Sequence, residues 1–241
     1  MDAHRALAYD KLGESHWWLT GKYALLTDLV RTQIPQGARL DPMLDVGCSG
    51  GVFLKGLRGL ASNPFGLDRN LDALRRCAFA RRTAGDAAQL PYADGSFALV
   101  SAIDVIEHVE NDAQAVGEFY RVLRRDGWLL LCVPAFQALF GKHDELFGHL
   151  RRYRRGPLQR LIEDAGFVVR KATYIQPLFF APLWIKRRWF PGKDPLVGDF
   201  SQPPAWLNRA LHTLLAAERF PLRYVSFPIG ATLIALAQKA G

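Results

Sequence analysis

Two carboxylates and a histidine lie within five positions of one another near the middle of the chain, at Asp104, Glu107 and His108. If a helical turn begins at Asp104, Glu107 and His108 follow three and four positions later and share one side of that turn. An imidazole in this setting is suited to removing a proton, with a carboxylate orienting the ring. We therefore predict that His108 is a catalytic base and that Glu107 contacts the substrate. The alternative is structural, with both side chains hydrogen-bonded at the start of a helix.

A second group of suitable side chains lies further along the chain, where two histidines precede a basic run: His143, His149, Arg151, Arg152, Tyr153, Arg154 and Arg155. Four arginines in five positions can hold a phosphate or a carboxylate, because the planar guanidinium group donates two parallel hydrogen bonds. We expect Arg151, Arg152 and Tyr153 to contact an acidic substrate. The alternative is a solvated basic helix start.

The elements that must position these side chains begin with an apolar run that ends in an acid and enters a glycine-rich bend. Its sequence is Met43-Leu44-Asp45-Val46-Gly47-Cys48-Ser49-Gly50-Gly51-Val52-Phe53-Leu54. This order predicts a buried strand, a tight turn and a helix, which is the opening of a nucleotide-binding βαβ unit. Glycine permits the sharp turn and lets a ligand approach the backbone without a Cβ in the way.

The next predicted strand covers residues 63–68 and ends in Asp68, 17 positions after Gly51. A carboxylate at a strand tip can accept hydrogen bonds from both hydroxyls of a ribose. The glycine pattern for a pyrophosphate is incomplete, so we expect an uncharged or zwitterionic nucleoside at the bend.

The bend resembles the first motif of class I S-adenosylmethionine-dependent methyltransferases, Asp/Glu-x-Gly-x-Gly-x-Gly, with Ser49 in place of the middle glycine. The later run Gly85-Asp86-Ala87, followed by Leu90-Pro91, is similar to a motif of the same family that places its acid beside the adenine amino group. The resemblance implies S-adenosylmethionine as cofactor and S-adenosylhomocysteine as product. The cofactor-binding positions that it implies are Lys22, Asp45, Gly47, Cys48, Gly51, Asp68, Arg69, Asp86, Ala87, Ile103 and Asp104.

The run from Asp104 to His108 is also similar to Glu/Asp-x-x-Glu-His, a metal-binding motif of two methyltransferase groups. These are the ubiquinone-pathway catechol O-methyltransferases and the small-RNA 3′-terminal 2′-O-methyltransferases, and both add a later histidine in the region of His143 and His149. A divalent cation there would lower the pKa of an acceptor hydroxyl. Because Asp104 replaces the usual glutamate, we predict that no metal is needed and keep metal use as the alternative.

The histidines and the basic run together resemble a His-Asp-(x)4-His-x-Arg-Arg-Tyr pattern of bacterial methyltransferases linked with glycan and lipid biosynthesis. This resemblance adds His143 and His149 to the predicted catalytic residues. It also implies that the segment lies over the methyl-accepting side of the cleft.

Predicted strands and helices alternate, which indicates an α/β fold with a Rossmann-like, doubly wound sheet and ligands at the carboxyl ends of the strands. The family resemblance implies seven strands, with the last one antiparallel between the fifth and sixth. Predicted helices cover 71–81, 112–124 and 157–165, and later strands cover 98–103, 128–133, 167–174 and 229–237. We predict a single domain in four parts: an N-terminal helical lid at 1–40, a cofactor-binding core at 41–176, a cap insertion at 177–221 and the last strand at 222–241.

The predicted cap insertion mixes aromatic residues with a basic cluster, in the order Phe179, Phe180, Trp184, Ile185, Lys186, Arg187, Arg188, Trp189 and Phe190. Such a segment can cover an acceptor, lie on an anionic membrane or form a homodimer contact. In the N-terminal part, Trp17 and Trp18 are expected either to cover the cofactor pocket or to pack on the sheet.

The 241 residues carry a net charge of +8, which suits nucleic acid, an anionic membrane or an acidic small substrate. The first ten residues do not form a signal peptide, no apolar run reaches the ~20 residues of a membrane helix, and three cysteines are expected to be reduced, so we predict a cytoplasmic protein.

We predict a methyltransferase whose acceptor is a hydrophobic or anionic small molecule, such as a precursor in the biosynthesis of a natural product, lipid or glycan. A metal-assisted O-methyltransferase and an RNA methyltransferase are the alternatives, but no nucleic acid is expected because no RNA-binding appendage is recognisable. A non-catalytic cofactor-binding protein is the alternative from another class. The three acids Asp45, Asp68 and Asp86 argue against it.

Overall fold

The computed structural model describes residues 14–57, 59–62, 64–79, 81–189 and 203–240. The predictions that fall on residues 1–13, on Asn63 in the second strand, and on Phe190 and the remainder of 190–202 in the insertion lie outside the described residues.

Seven strands form one sheet, in the order β3-β2-β1-β4-β5-β7-β6. They are β1 (Met43–Val46), β2 (Phe65–Asp68), β3 (Arg82–Ala84), β4 (Phe97–Ile103), β5 (Leu123–Pro134), β6 (Phe167–Ile175) and β7 (Thr232–Lys239). Neighbouring strands are parallel, except that β7 is antiparallel to both β5 and β6. The predicted Rossmann-like architecture and the predicted place of the last strand are confirmed.

Helices cover both faces of the sheet. They are α1 (Trp17–Gln33), α2 (Val52–Gly56), α3 (Leu71–Arg76), α4 (Asp112–Val122), α5 (Lys142–Phe147), α6 (Arg155–Asp164), α7 (Pro177–Trp189), α8 (Ala205–Ala217) and α9 (Arg219–Leu222). Short 3₁₀ turns follow β4 at Ile106–His108 and β5 at Gln137–Leu139. Within the described ranges, every helix is too short or too polar to cross a bilayer.

The alternation of side chains along β5 builds a core on each face of the sheet. Leu129 and Leu131 join the cluster that contains Phe119 of α4, whereas Leu130 and Cys132 join the cluster on the α1 side. Because both faces are covered, the strand is a continuous apolar run in the sequence. This explains why the central strands could be recognised without the structure.

Several predicted boundaries are corrected. Helix α3 ends at Arg76 instead of residue 81, because Cys77 is extended and buried. Strand β5 begins at Leu123 instead of residue 128, because the strand continues through a register shift between β4 and β5 at residues 124–127. Strand β7 begins at Thr232 instead of Ile229, since Gly230 passes so close to Ile175 that a Cβ would lie 2.1 Å from its carbonyl oxygen.

The predicted N-terminal helical part is described from residue 14, and its helix α1 ends at Gln33. Ile34 is extended, as expected of a residue that precedes a proline. The division of the chain into lid, core, cap and last strand stays a prediction.

Candidate active site

A cavity of about 690 Å³ lies at the carboxyl ends of β1, β2 and β4. Its walls come from the loops after these strands, from β3 and its following loop, and from helices α1, α5 and α7. The predicted site residues that line it are Lys22, Asp45, Gly47, Cys48, Asp68, Arg69, Asp86, Ala87, Ile103, Asp104, His108, His143, His149 and Arg152. The fold thus brings together residues that are up to 214 positions apart, from Trp18 to Thr232.

The loop after β1 has a left-handed backbone at three alternate positions, with φ of 72° at Gly47, 45° at Ser49 and 77° at Gly51. A Cβ at Gly47 would lie 2.5 Å from Cγ2 of Val105, so the position requires glycine. Ser49 has a left-handed backbone like Gly47 and Gly51, and its amide donates to Oδ2 of Asp68 at 2.9 Å. The serine therefore keeps the geometry of the bend.

Gly51 is placed differently from its predicted role. It is the residue before α2, outside the lining of the cavity, and a Cβ there would lie 2.9 Å from Sγ of Cys77. Its glycine is needed for packing beneath the bend, and its contact with the cofactor stays a prediction.

Three acids line one half of the cavity, each at the end of a different strand or in its following loop. Asp45 is buried and accepts a hydrogen bond from the Ser101 hydroxyl at 2.5 Å. Burial, opposed by this hydrogen bond, raises the pKa of Asp45 to about 7. Asp68 accepts from the amides of Ser49 and Asn70, and Asp86 accepts from the amide of Ala88. Backbone donors therefore fix the orientation of Asp68 and Asp86.

Lys22 of α1 reaches into the cavity, where its ammonium group forms an ion pair with Asp104. Burial opposes ionisation of Asp104, but the charge of Lys22 and the hydrogen bond from it outweigh burial and lower the pKa of the carboxyl. Asp104 is thus ionised at neutral pH. The predicted contact between Lys22 and a cofactor carboxylate would have to be shared with Asp104.

His108 and His149 lie edge to face in the other half of the cavity, with ring centroids 4.8 Å apart. Nδ1 of His108 is 3.1 Å from the carbonyl oxygen of Gly148, which can only accept, so Nδ1 carries the proton. Burial, followed by the neighbouring His149, lowers the pKa of His108 to about 4. His108 is therefore neutral at physiological pH and weakly basic.

His149 is held by a carboxylate that the sequence analysis left out of the predicted site. Oδ1 of Asp144 accepts from Nδ1 of His149 at 2.7 Å and from the Arg152 guanidinium at 2.7 and 2.8 Å. Oδ2 accepts from the Gly141 amide at 2.9 Å and from Arg187 at 3.1 Å. Burial alone would keep Asp144 protonated, but the donors on both oxygens hold its pKa well below the usual range.

Arg151 and Tyr153 do not line the cavity, and their contact with the substrate stays a prediction. Nη1 of Arg151 lies 3.1 Å from Oδ2 of Asp112, and the Tyr153 hydroxyl donates to the same oxygen at 2.8 Å. Asp112 is the first residue of α4, so both side chains stabilise the start of that helix. Of the three predicted substrate contacts in the basic run, only Arg152 faces the cavity.

Glu107 also lies outside the cavity lining, and its contact with the substrate stays a prediction. Its side chain is fully buried, and neither carboxylate oxygen has a hydrogen-bond partner among the described residues. Burial, followed by the charge of Asp104, raises the pKa of Glu107 well above its usual value, which disfavours the ionised carboxylate. Ligand atoms of Glu107, His108 and His149 nevertheless lie within 4.8 Å of one another, and this donor set fits a divalent cation.

Two helices meet above the cavity. Trp18 of α1 lines it, while Trp17 packs against Phe179 of α7 at a centroid distance of 4.8 Å. From α7, Leu183 and Arg187 face inward, and Arg187 donates to Leu139 as well as to Asp144. Sequence reasoning missed Asp144 and Arg187. The acid could have been found from its place beside His143, five residues before His149.

Comparison with known proteins gives a family match for the central strands. Residues 44–131 match the family model described as a methyltransferase domain. An uncharacterised protein of Methanocaldococcus jannaschii is 30% identical over 141 residues, which cover 58% of this chain and 59% of that protein. A protein of Mycolicibacterium smegmatis, named as a probable S-adenosylmethionine-dependent methyltransferase, is 32% identical over 133 residues, covering 53% and 52%. The chain therefore spans between half and three fifths of the length of these two relatives.

Solved structures share the whole fold. One of them is a complex between the Haloferax volcanii Trm112 methyltransferase activator and a methyltransferase. The chain of that complex that matches has a TM-score of 0.64 and 19% identity to this chain. The match covers 98% of this chain and 94% of that chain. At this identity the likeness concerns the fold alone.

Proposed function

This chain contains a class I S-adenosylmethionine-dependent methyltransferase domain, and we propose that it methylates a small-molecule acceptor that is hydrophobic or anionic. One observation carries the proposal. A single cavity has three strand-end acids on one side and a histidine held by a buried carboxylate on the other. A nucleoside site and a proton acceptor therefore face the same space.

The residues on the acidic side fit the cofactor of this class. The cavity volume of about 690 Å³ lies within the usual range of roughly 300–1,000 Å³ for ligand pockets. Backbone amides orient the carboxylate of Asp68, as binding of the ribose hydroxyls requires. Asp86 lies in the loop that the family places beside adenine. When bound, S-adenosylmethionine supplies an electrophilic methyl group on a sulfonium.

His149 is the base in this proposal. Its Nδ1–H is donated to ionised Asp144, which leaves Nε2 to accept the proton that the acceptor's hydroxyl or amine loses on methylation. Asp144 then stabilises the imidazolium. His108 is a weaker candidate than the sequence predicted, because its pKa of about 4 makes it a poor proton acceptor.

The acceptor side of the cavity combines apolar and cationic groups. Trp18, Phe147 and Leu183 supply apolar walls, and Arg152 and Arg187 add two guanidinium groups that share Asp144. Two positive charges against one negative charge leave an excess that favours an anionic group on the acceptor. In the basic run, Arg151 pairs with Asp112 and Arg152 with Asp144, which argues against a continuous basic surface for RNA there.

Calorimetry with S-adenosylhomocysteine tests the proposal without knowledge of the acceptor. We expect one molecule of S-adenosylhomocysteine to bind per chain and to raise the melting temperature, because a ligand that binds only the folded state stabilises it. If millimolar S-adenosylhomocysteine gives neither heat nor a thermal shift, the acidic half of the cavity is not a cofactor site.

A metal-assisted O-methyltransferase is the second candidate, favoured by the cluster of Glu107, His108 and His149. Nδ1 of each histidine donates a hydrogen bond to a protein oxygen. Proteins orient imidazoles in this way when Nε2 binds a metal. A divalent cation held there would lower the pKa of an acceptor hydroxyl. Against this, burial raises the pKa of Glu107 well above its usual value, and the side chain lies outside the cavity lining.

Metal titration separates the two candidates. We expect chelator-treated protein to show no stoichiometric calorimetric binding of Mg²⁺, Mn²⁺ or Zn²⁺ that depends on Glu107, since this carboxyl is buried and its raised pKa opposes the ionised form that binds metals. Glu107→Gln is the matched variant, because it keeps the shape of the side chain. One-to-one binding that this variant abolishes would instead identify a metal-assisted enzyme.

A further inference from the structure

Solvent-exposed large apolar side chains are concentrated in one part of the described chain. Ten of the thirteen lie between positions 178 and 229: Leu178, Trp184, Ile185, Trp189, Trp206, Leu214, Phe220, Tyr224, Val225 and Ile229. Single exposed apolar residues are normal in proteins, but a concentration of them indicates an interaction surface. We call the described residues 177–189 and 203–229 the cap.

Helix α7 of the cap is apolar on both of its faces. Leu183 on the inner face lines the cavity, and Phe179 packs on Trp17. On the outer face, Leu178, Ile185 and Trp189 follow one another at intervals of seven and four residues, which places them on one stripe of the helix. No side chain of α7 is buried. The inner face is explained by the cavity, and the outer face needs another partner.

The charges of the cap are almost all of one sign. It contains six basic side chains, Lys186, Arg187, Arg188, Arg209, Arg219 and Arg223, of which Arg187 and Arg223 pair with Asp144 and Asp28 outside the cap. Its single acid, Glu218, is buried. A partner that matches this surface is therefore apolar and negatively charged.

We propose that the cap is a docking surface for an anionic lipid bilayer. Helices that combine a basic side with tryptophan and aliphatic residues lie in the interface between headgroups and acyl chains. Trp189 is 68% exposed and Trp206 is 72% exposed, and tryptophan is enriched at that depth. Helix α7 has 13 residues, about 20 Å at 1.5 Å per residue, so it lies along a bilayer rather than across it.

Docking in this way brings the cavity to the lipid surface, because Leu183 and Arg187 on the inner face of the same helix line the cavity. An acceptor held in the bilayer by an apolar tail could then present an anionic head to Arg152 and Arg187. This consequence for the acceptor rests on the proposed function, whereas the docking itself does not.

Cosedimentation of the full chain with lipid vesicles tests the docking. We expect binding to vesicles of phosphatidylcholine mixed with phosphatidylglycerol, weakened by salt, and no binding to vesicles of phosphatidylcholine alone. Ile185→Ser with Trp189→Ser, and Arg188→Glu with Arg209→Glu, should each weaken vesicle binding about tenfold or more, since each lipid-facing basic residue contributes about 1 kcal/mol. Leu71→Ser is the control, because Leu71 is 57% exposed on α3, away from the cap.

The docking proposal is overturned by three results. These are failure to bind anionic vesicles, equal binding to both vesicle types, and unchanged binding by both cap variants. A dimer in sedimentation velocity that the cap variants dissociate would assign the surface to a second copy of the chain. Calorimetry with S-adenosylhomocysteine on the same samples shows whether each variant is folded. It also separates loss of docking from failure of the methyltransferase assignment.

Discussion

Replacement of His149 by alanine is expected to slow methyl transfer by about 10²–10⁴-fold, the usual contribution of a positioned general base. The imidazole is the group whose Nδ1 is held by ionised Asp144, so its loss removes the proton acceptor. Affinity for S-adenosylhomocysteine should not change, because the three acids lie in the other half of the cavity. The measurement is transfer of a labelled methyl group from S-adenosylmethionine into a small-molecule extract, with calorimetry alongside.

Two further variants make the assignment of the base specific. Asp144→Asn should slow transfer as well, since an amide cannot stabilise the imidazolium as a carboxylate does. His108→Ala should have a smaller effect on the rate, because His108 is weakly basic. A large loss in His108→Ala together with a small loss in His149→Ala would reverse the assignment and restore the base predicted from the sequence.

Replacement of Asp68 by alanine is expected to weaken S-adenosylhomocysteine binding by about 1.5–3 kcal/mol, the range for hydrogen bonds to a charged group. This corresponds to a loss of affinity of about 10- to 150-fold in calorimetry. The carboxylate also holds the amides of Ser49 and Asn70, so the bend after β1 loses support in the same variant.

Asp72→Ala is the matched control for this prediction. Asp72 is an acid four positions later, on α3, where it forms an exposed pair with Arg75. Its removal should leave affinity unchanged, since surface pairs of this kind contribute little. If Asp68→Ala binds S-adenosylhomocysteine as tightly as the control does, Asp68 does not hold the ribose.

The sheet and the bend could be predicted because their signals are local. Each central strand is an apolar run, and the bend favours glycine at Gly47 because its φ of 72° lies in the left-handed region. The acids Asp45, Asp68 and Asp86 follow from the strands, because the carboxyl ends of parallel strands meet at one edge. The order of the sheet then follows from the family resemblance.

The acceptor side could be predicted only in part, because its contacts join distant segments. Arg187 reaches Asp144 across 43 positions, and nothing in its neighbourhood distinguishes it from Arg188. The sequence predicts that the basic run acts as one group that binds the substrate. In the structure, Arg151 pairs with Asp112 whereas Arg152 pairs with Asp144. The direction in which each of two adjacent side chains points depends on the backbone conformation. The sequence pattern does not specify that conformation.

The place of β7 has a consequence for biosynthesis of the protein. The ribosome releases β5 and β6 before residues 232–239, yet these two strands are hydrogen-bonded to β7 and not to each other. Until β7 emerges, both strands carry backbone groups without their final partners, which is the condition that invites pairing with other chains. We therefore expect a chain cut before Thr232 to expose the edges of both strands, and to aggregate or be degraded more readily than the full chain.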